Sequence, residues 1–211
     1  MSITLIIIIV TAIISFTAFK NEKVINDLIF YPPAITNKNQ WYRFITCGFI
    51  HADIIHLAFN MLSLYMFGEL VENNFNFIFH ENGNVFYAFL YFSALIVCLI
   101  PTFLENKNNS NYRSLGASGA VSAVVFVGIF LFPTVKIGLF ILPPIIPGFI
   151  FAPIYLYISW HLSKKGADNI NHSAHIWGAV YGIAFLIIAS SAFSNFNAVQ
   201  NFIKTIEIWL K

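Results

Sequence analysis

Leu115-Gly116-Ala117-Ser118-Gly119-Ala120 opens an apolar run that continues through Phe132. A membrane-spanning helix needs about 20 mostly apolar residues, within a range of roughly 17–25, and this run fits. A serine set between glycines at the mouth of such a run needs a reason. Further along, Ala174-His175-Ile176-Trp177-Gly178 opens another apolar run. A serine and a histidine at matching depths point to a nucleophile and its base.

Composition sets the surroundings of that pair. The 211 residues are 58% hydrophobic and 9% charged, against about 25% charged in a soluble domain. The chain therefore reads as an all-α polytopic membrane protein. A net charge of +2 excludes nucleic acid as an expected partner. Cys47 and Cys98 form no spacing motif, and Cys98 reads as a small apolar core residue. Six runs are candidates for crossing: residues 3–19, 50–68, 85–104, 115–132, 137–160 and 173–193. The first lacks a basic leader and a small-x-small cleavage pattern, so it reads as a retained helix. The fifth carries Pro143, Pro144, Pro147 and Pro153, which predicts an irregular start and a regular helix from about Pro147. Residues 20–49 read as a long interfacial linker, and residues 73–84 and 105–114 as short asparagine-rich linkers. From Ser194 onward, Phe202, Ile203, Ile206 and Trp209 share one face, which predicts an amphipathic interfacial tail over 194–211. The expected organisation is one domain over 1–211, with a core at about 3–193.

Six crossings point segments two, four and six in the same direction. Their N-terminal ends carry His51, Asp53, His56 and Asn60, then Ser118, then His172 and His175. Ionisable and polar groups in a membrane are costly and face the bundle interior or a wet cavity, so the reading places the whole site on these three segments. Gly116, Ala117, Gly119 and Ala120 make segment four thin. His175, Gly178 and Gly182 recur on one face of segment six, so that face can press close and carry His175 toward Ser118. No carboxylate is obvious as a third member: Asp53 and Asp168 lie near the same end, but a Ser–His dyad is the expected arrangement. His56 and Asn60 are one turn apart and both can donate hydrogen bonds to an oxyanion. His51 reads equally as an interfacial anchor. His80 and His161 lie at segment ends and read as solvated.

These residues carry a resemblance to the rhomboid family of intramembrane serine proteases. The stretch His51-Ala52-Asp53-Ile54-Ile55-His56-Leu57-Ala58-Phe59-Asn60 resembles the family's H-x4-H-x3-N. Gly116-Ala117-Ser118-Gly119 is similar to G-x-S-G, and Ala174-His175-Ile176-Trp177-Gly178-Ala179-Val180-Tyr181-Gly182 to A-H-x2-G-x3-G. The resemblance implies the minimal six-helix form, with Ser118 as nucleophile, His175 as base, and His56, Asn60 and the Ser118 backbone N–H as the oxyanion hole. It implies supporting roles for His51, Gly116, Gly119, Gly178 and Gly182. Glu72 resembles a structural carboxylate at the far end of segment two, and Arg43 the arginine of a Trp-Arg motif, although here Tyr42 separates it from Trp41. Ser122 stands one turn after Ser118, where some members place an aromatic against the histidine. The implied substrates are single transmembrane helices of other proteins cut near the bilayer surface, with no cofactor and no metal.

The resemblance also implies a bacterial-type inner membrane and a site open to its outer side. In that topology the outer loops hold Lys20, Lys23, Lys38, Arg43, Lys107, Arg113, Lys164 and Lys165, and the inner side only Lys136, Lys204 and Lys211. The positive-inside rule favours the inverse, and the family topology is nonetheless the expectation. Three rivals remain. The first is a catalytically inactive rhomboid-like adaptor that binds membrane helices. The second is a metal hydrolase using His51, His56, His172 and His175, which lacks an HExxH and leaves Ser118 unexplained. The third is a transporter, whose polar residues belong nearer the bilayer midplane.

Overall fold

The computed structural model describes residues 1–138, 144–165 and 170–211. Eleven α-helices stand among them: α1 (Ile3–Ala18), α2 (Glu22–Leu28), α3 (Pro32–Lys38), α4 (Arg43–Thr46), α5 (Ile54–Phe79), α6 (Gly83–Val97), α7 (Ile100–Asn106), α8 (Ser118–Leu131), α9 (Gly148–Lys165), α10 (His172–Phe193) and α11 (Ala198–Trp209). The helical expectation holds apart from one two-residue antiparallel pair, β1 (Lys136–Ile137) with β2 (Ile146–Pro147), in register Lys136 to Pro147. The expected start of the fifth helix near Pro147 agrees with α9, which begins at Gly148. Pro143 and Asp168 lie outside the described residues. Two stretches, residues 54–106 and His172–Phe193, are long and apolar enough to cross a membrane, whereas Ile3–Ala18 and Ser118–Leu131 are apolar but shorter.

The boundaries of α5 differ from the sequence expectation. Asp53 caps its N-terminus, accepting the His56 N–H at 2.8 Å. The helix then runs 26 residues, straight through the asparagines expected to form a linker. Val71, Glu72, Phe75, Ile78 and Phe79 stay buried along this stretch, while Asn73 and Asn76 ride on the exposed side. Tertiary burial thus overrides the weak propensity of asparagine for helix. The third run likewise breaks in two, because Pro101 enters at the first turn of α7, a position that tolerates proline.

The bundle is built around α8. Eleven of its fourteen residues are buried, the mark of a helix apolar on every side. It packs against α10, α5, α6 and α9. The closest approach is to α10. A Cβ on Gly178 would collide with the backbone oxygen of Gly119, and one on Gly182 with that of Ala123. These two glycines let the helix backbones touch directly.

Glu72 ties α1 to α5. Its carboxylate accepts the backbone N–H groups of Ile3 (2.8 Å) and Thr4 (2.9 Å) and the Thr4 hydroxyl (2.7 Å). A buried carboxylate thus satisfies the free donors at the start of α1. The Thr4 hydroxyl also lies 2.8 Å from that of Tyr87.

Arg43 is buried too. It donates to Gln40 Oε1 (2.7 Å) and to the backbone oxygens of Asn26 (2.9 Å) and Ile29 (2.7 Å). It organises the first linker, which is a set of short helices rather than an open loop. Phe44 of that linker packs on Phe30 and Phe103, with Trp41 stacked beside it. The tail forms α11 as expected: Phe202 stacks on Phe130, and Asn201 Nδ2 donates to the Leu131 oxygen that ends α8.

Candidate active site

Ser118 is the first residue of α8, and the strand of chain leading to it is held from three sides. Phe30 exchanges both backbone hydrogen bonds with Ser114 (3.0 and 3.1 Å). The Gly116 N–H donates to the Cys47 oxygen at 2.9 Å. His51 takes the third side. Its Nδ1 lies 2.9 Å from Ser15 Oγ, whose own proton goes to the Phe49 oxygen, so Nδ1–H is the donor. Nε2 is then free to accept the Ala117 N–H at 3.4 Å. His51 is fully buried, so of its two sequence readings the interfacial anchor is set aside in favour of an internal brace between α1 and the serine turn.

Gly116 makes that turn possible. Its φ is +112°, a region that side-chain-bearing residues rarely adopt. A Cβ here would also stand 2.7 Å from His56 Cε1. The His56 ring therefore lies against the turn that presents Ser118, with the His51 ring centroid 5.0 Å from its own and roughly perpendicular to it.

His175 reaches Ser118 from the first turn of α10. Its Nε2 is 2.8 Å from Ser118 Oγ. The register follows from the packing already described, since Gly178 lies one turn further along the same face and brings the two backbones together. On the other side of the ring, Nδ1 is 3.2 Å from the hydroxyl of Tyr155 on α9. Tyr155 was absent from the sequence reading, which placed the site wholly on segments two, four and six. The Tyr155 ring packs between Phe126 and Phe151, each with centroids 5.7 Å away.

Ser118, His175 and Asn60 all line one cavity of about 480 Å³. Its walls are α5 on one side, through Phe59, Leu62 and Met66, and α9 on the other, through Phe151 and Tyr155. Asn60 is 4% exposed, and its Nδ2 has no hydrogen-bond partner. A buried amide donor left unpaired costs about 1–3 kcal/mol, and this one belongs to a residue that lines the cavity. Behind Ser118 a separate chamber of about 20 Å³ is lined by Ser114, Gly116, Gly119 and Asn171, among others, enough for a single water.

Several other sequence candidates lie outside the lining of that cavity. Asp53 is spent on the α5 cap, and Glu72 and Arg43 hold other elements together and do not line the cavity. Gly119 stands against Cys98, where a Cβ would meet the sulfur at 2.5 Å. His80 and His161 are exposed, as expected.

Comparison with known proteins places the chain in a family. Residues 38–192 match the rhomboid domain. The chain is 32% identical to RHOMBOID-like protein 12, mitochondrial, of Arabidopsis thaliana, over 72% of this chain and 48% of that one. It is 26% identical to Rhomboid-like protein 11, chloroplastic, of the same plant (71% and 53%). It is 29% identical to rhomboid protease GluP of Bacillus subtilis (69% and 25%). The chain spans about half the length of the two plant relatives. The matched span covers most of the chain, and the chain belongs to the rhomboid family of membrane-embedded proteins.

Proposed function

We propose that this protein is an intramembrane serine endopeptidase that cuts single transmembrane helices of other proteins. The observation that carries the reading is the 2.8 Å contact between Ser118 Oγ and His175 Nε2 at the head of a cavity that also receives the unpaired Asn60 amide. Ser118 Oγ attacks the scissile carbonyl while His175 Nε2 takes its proton. The oxyanion receives hydrogen bonds from Asn60 Nδ2, the Ser118 backbone N–H and His56. His175 then returns the proton to the leaving amine, which leaves an ester on Ser118. Water enters, loses a proton to His175 and releases the acid, restoring both side chains. The single-water chamber behind Ser118 is the natural source of that water. No cofactor is needed at any step.

Six segments are proposed to cross the bilayer in one domain over residues 1–211. α8 has 14 residues and so is roughly 21 Å long, shorter than a hydrocarbon core of about 30 Å. A short central helix recesses Ser118 below the bilayer surface, and water must come to it through the protein. A substrate helix hides its peptide bonds, so cleavage needs local unwinding, which glycine or proline near the cut makes less costly. The proposed setting is a bacterial-type inner membrane with the site open to the outer side. Arg43 donates to the backbone oxygens of Asn26 and Ile29 but keeps its charge, so the count of basic residues still opposes this orientation.

The test is cleavage of a panel of transmembrane substrates by wild type, Ser118→Ala and His175→Ala in detergent, together with labelling by a fluorophosphonate probe. Wild type should cleave and label, and both variants should fall by at least roughly 1,000-fold. Unchanged cleavage by Ser118→Ala sinks the mechanism, and an inert, unlabelled wild type favours the inactive adaptor.

A further inference from the structure

We infer that Tyr155 is a positioning residue for the base, the third member of a Ser118–His175–Tyr155 relay whose last member comes from α9. The inference rests on the proposed protease mechanism and deepens it. For His175 Nε2 to accept the Ser118 proton, the neutral ring must carry its own proton on Nδ1. That proton needs an acceptor, and the Tyr155 hydroxyl oxygen is 3.2 Å from Nδ1. A phenol can accept there only if its own proton goes elsewhere. Ser122 shares the cavity lining with Tyr155 and the buried Ser159 stands on its helix, and in the inferred relay the phenol donates its proton to one of these two hydroxyl oxygens. Ser159 is one turn after Tyr155 on the same helix, and Ser122 is one turn after Ser118 on α8.

The small side chain at 122 is part of the same arrangement. Ser122 lines the cavity next to Tyr155. A bulky ring on α8 at this position would occupy the space through which the phenol reaches the imidazole. The orienting aromatic is thus delivered across the helix interface instead of from α8 itself. Its ring packs on Phe126 of α8 and Phe151 of α9, which limits how far the hydroxyl can swing. Neighbouring Tyr157 shows what an unrecruited tyrosine on α9 looks like: it is 64% exposed.

The role differs from that of a buried carboxylate. A neutral phenol selects the tautomer and aims the ring, but it brings no negative charge to stabilise the imidazolium. Its loss should therefore cost less than the ~10,000-fold associated with a triad aspartate.

The experiment is Tyr155→Phe beside wild type and Ser118→Ala, with kcat, KM, fluorophosphonate labelling rate and melting temperature measured in the same detergent. Phenylalanine preserves the packing on Phe126 and Phe151. The expected result is a kcat lower by roughly 10- to 100-fold, a labelling rate lower in parallel, and KM and melting temperature close to wild type. If Tyr155→Phe keeps its kcat within about twofold of an active wild type while Ser118→Ala is dead, the positioning role is wrong and the protease reading stands. A change confined to KM or melting temperature also overturns it, since that is the mark of a packing residue. An inert wild type that does not label removes both.

Discussion

The two flanks of α8 are built on opposite rules. Toward α10 the contact is backbone on backbone, with Gly178 and Gly182 pressed on the carbonyl oxygens of Gly119 and Ala123. Toward α5 and α9 the same helix faces a cavity of about 480 Å³. Ser118 and His175 come from the two helices of the tight contact and meet at the edge of the cavity. Asn60, proposed as an oxyanion donor, and Tyr155, proposed to orient the ring, reach in from the two walls of the open side. Precision and access are thus assigned to different surfaces of one helix, a division that sites needing both rigid geometry and substrate entry require.

The sharpest way to break this contrast is Gly178→Val. A branched side chain has nowhere to go against the Gly119 oxygen, so α10 must move away and take His175 with it. Turnover should fall below detection, and the melting temperature should drop by roughly 6–10 °C, the equivalent of about 3 kcal/mol. Normal activity and melting would show that the helices are not in direct contact. Next in size is Asn60→Ala. Removing one oxyanion donor should lower kcat by roughly 100- to 1,000-fold with little change in KM, and a kcat left intact would mean that the unpaired amide serves something other than the transition state. The smallest effect is expected on the open flank. Met66→Ala trims a cavity wall that is already 62% exposed. It should raise KM a few-fold, about 1 kcal/mol of lost apolar contact, with kcat unchanged. A large fall in kcat there would mean that the flank is as rigid as the α10 side.

The same contrast explains what could be seen in the sequence. The tight side was legible because glycines and a histidine at helical spacing declare a face, and because Ser118 and His175 are conspicuous in apolar surroundings. The open side was not. Tyr155 and Tyr157 stand two apart in an aromatic-rich run, and which of them turns inward depends on how α9 is rotated against Phe126, a long-range contact with no local signature. The length of α5 was hidden for a related reason. Its asparagines look like a linker until the buried face of Val71, Phe75 and Phe79 is known to continue beneath them. Glu72 and Arg43 were recognisable only by resemblance. Their partners, the first turn of α1 and the backbone oxygens of residues 26 and 29, lie far away in the sequence.

The bare contact at Gly178 and Gly182 has a consequence for how this protein can change over generations. Any missense change in a glycine codon adds at least one carbon atom, and the space to receive it does not exist beside either carbonyl. No near-neutral neighbour is open to these two positions, so drift cannot approach a different helix spacing in small steps. Phe59, Leu62 and Met66 on the α5 wall meet no such backbone barrier. Side chains there can vary in size while the separation of Ser118 from His175 is held by the glycine contact.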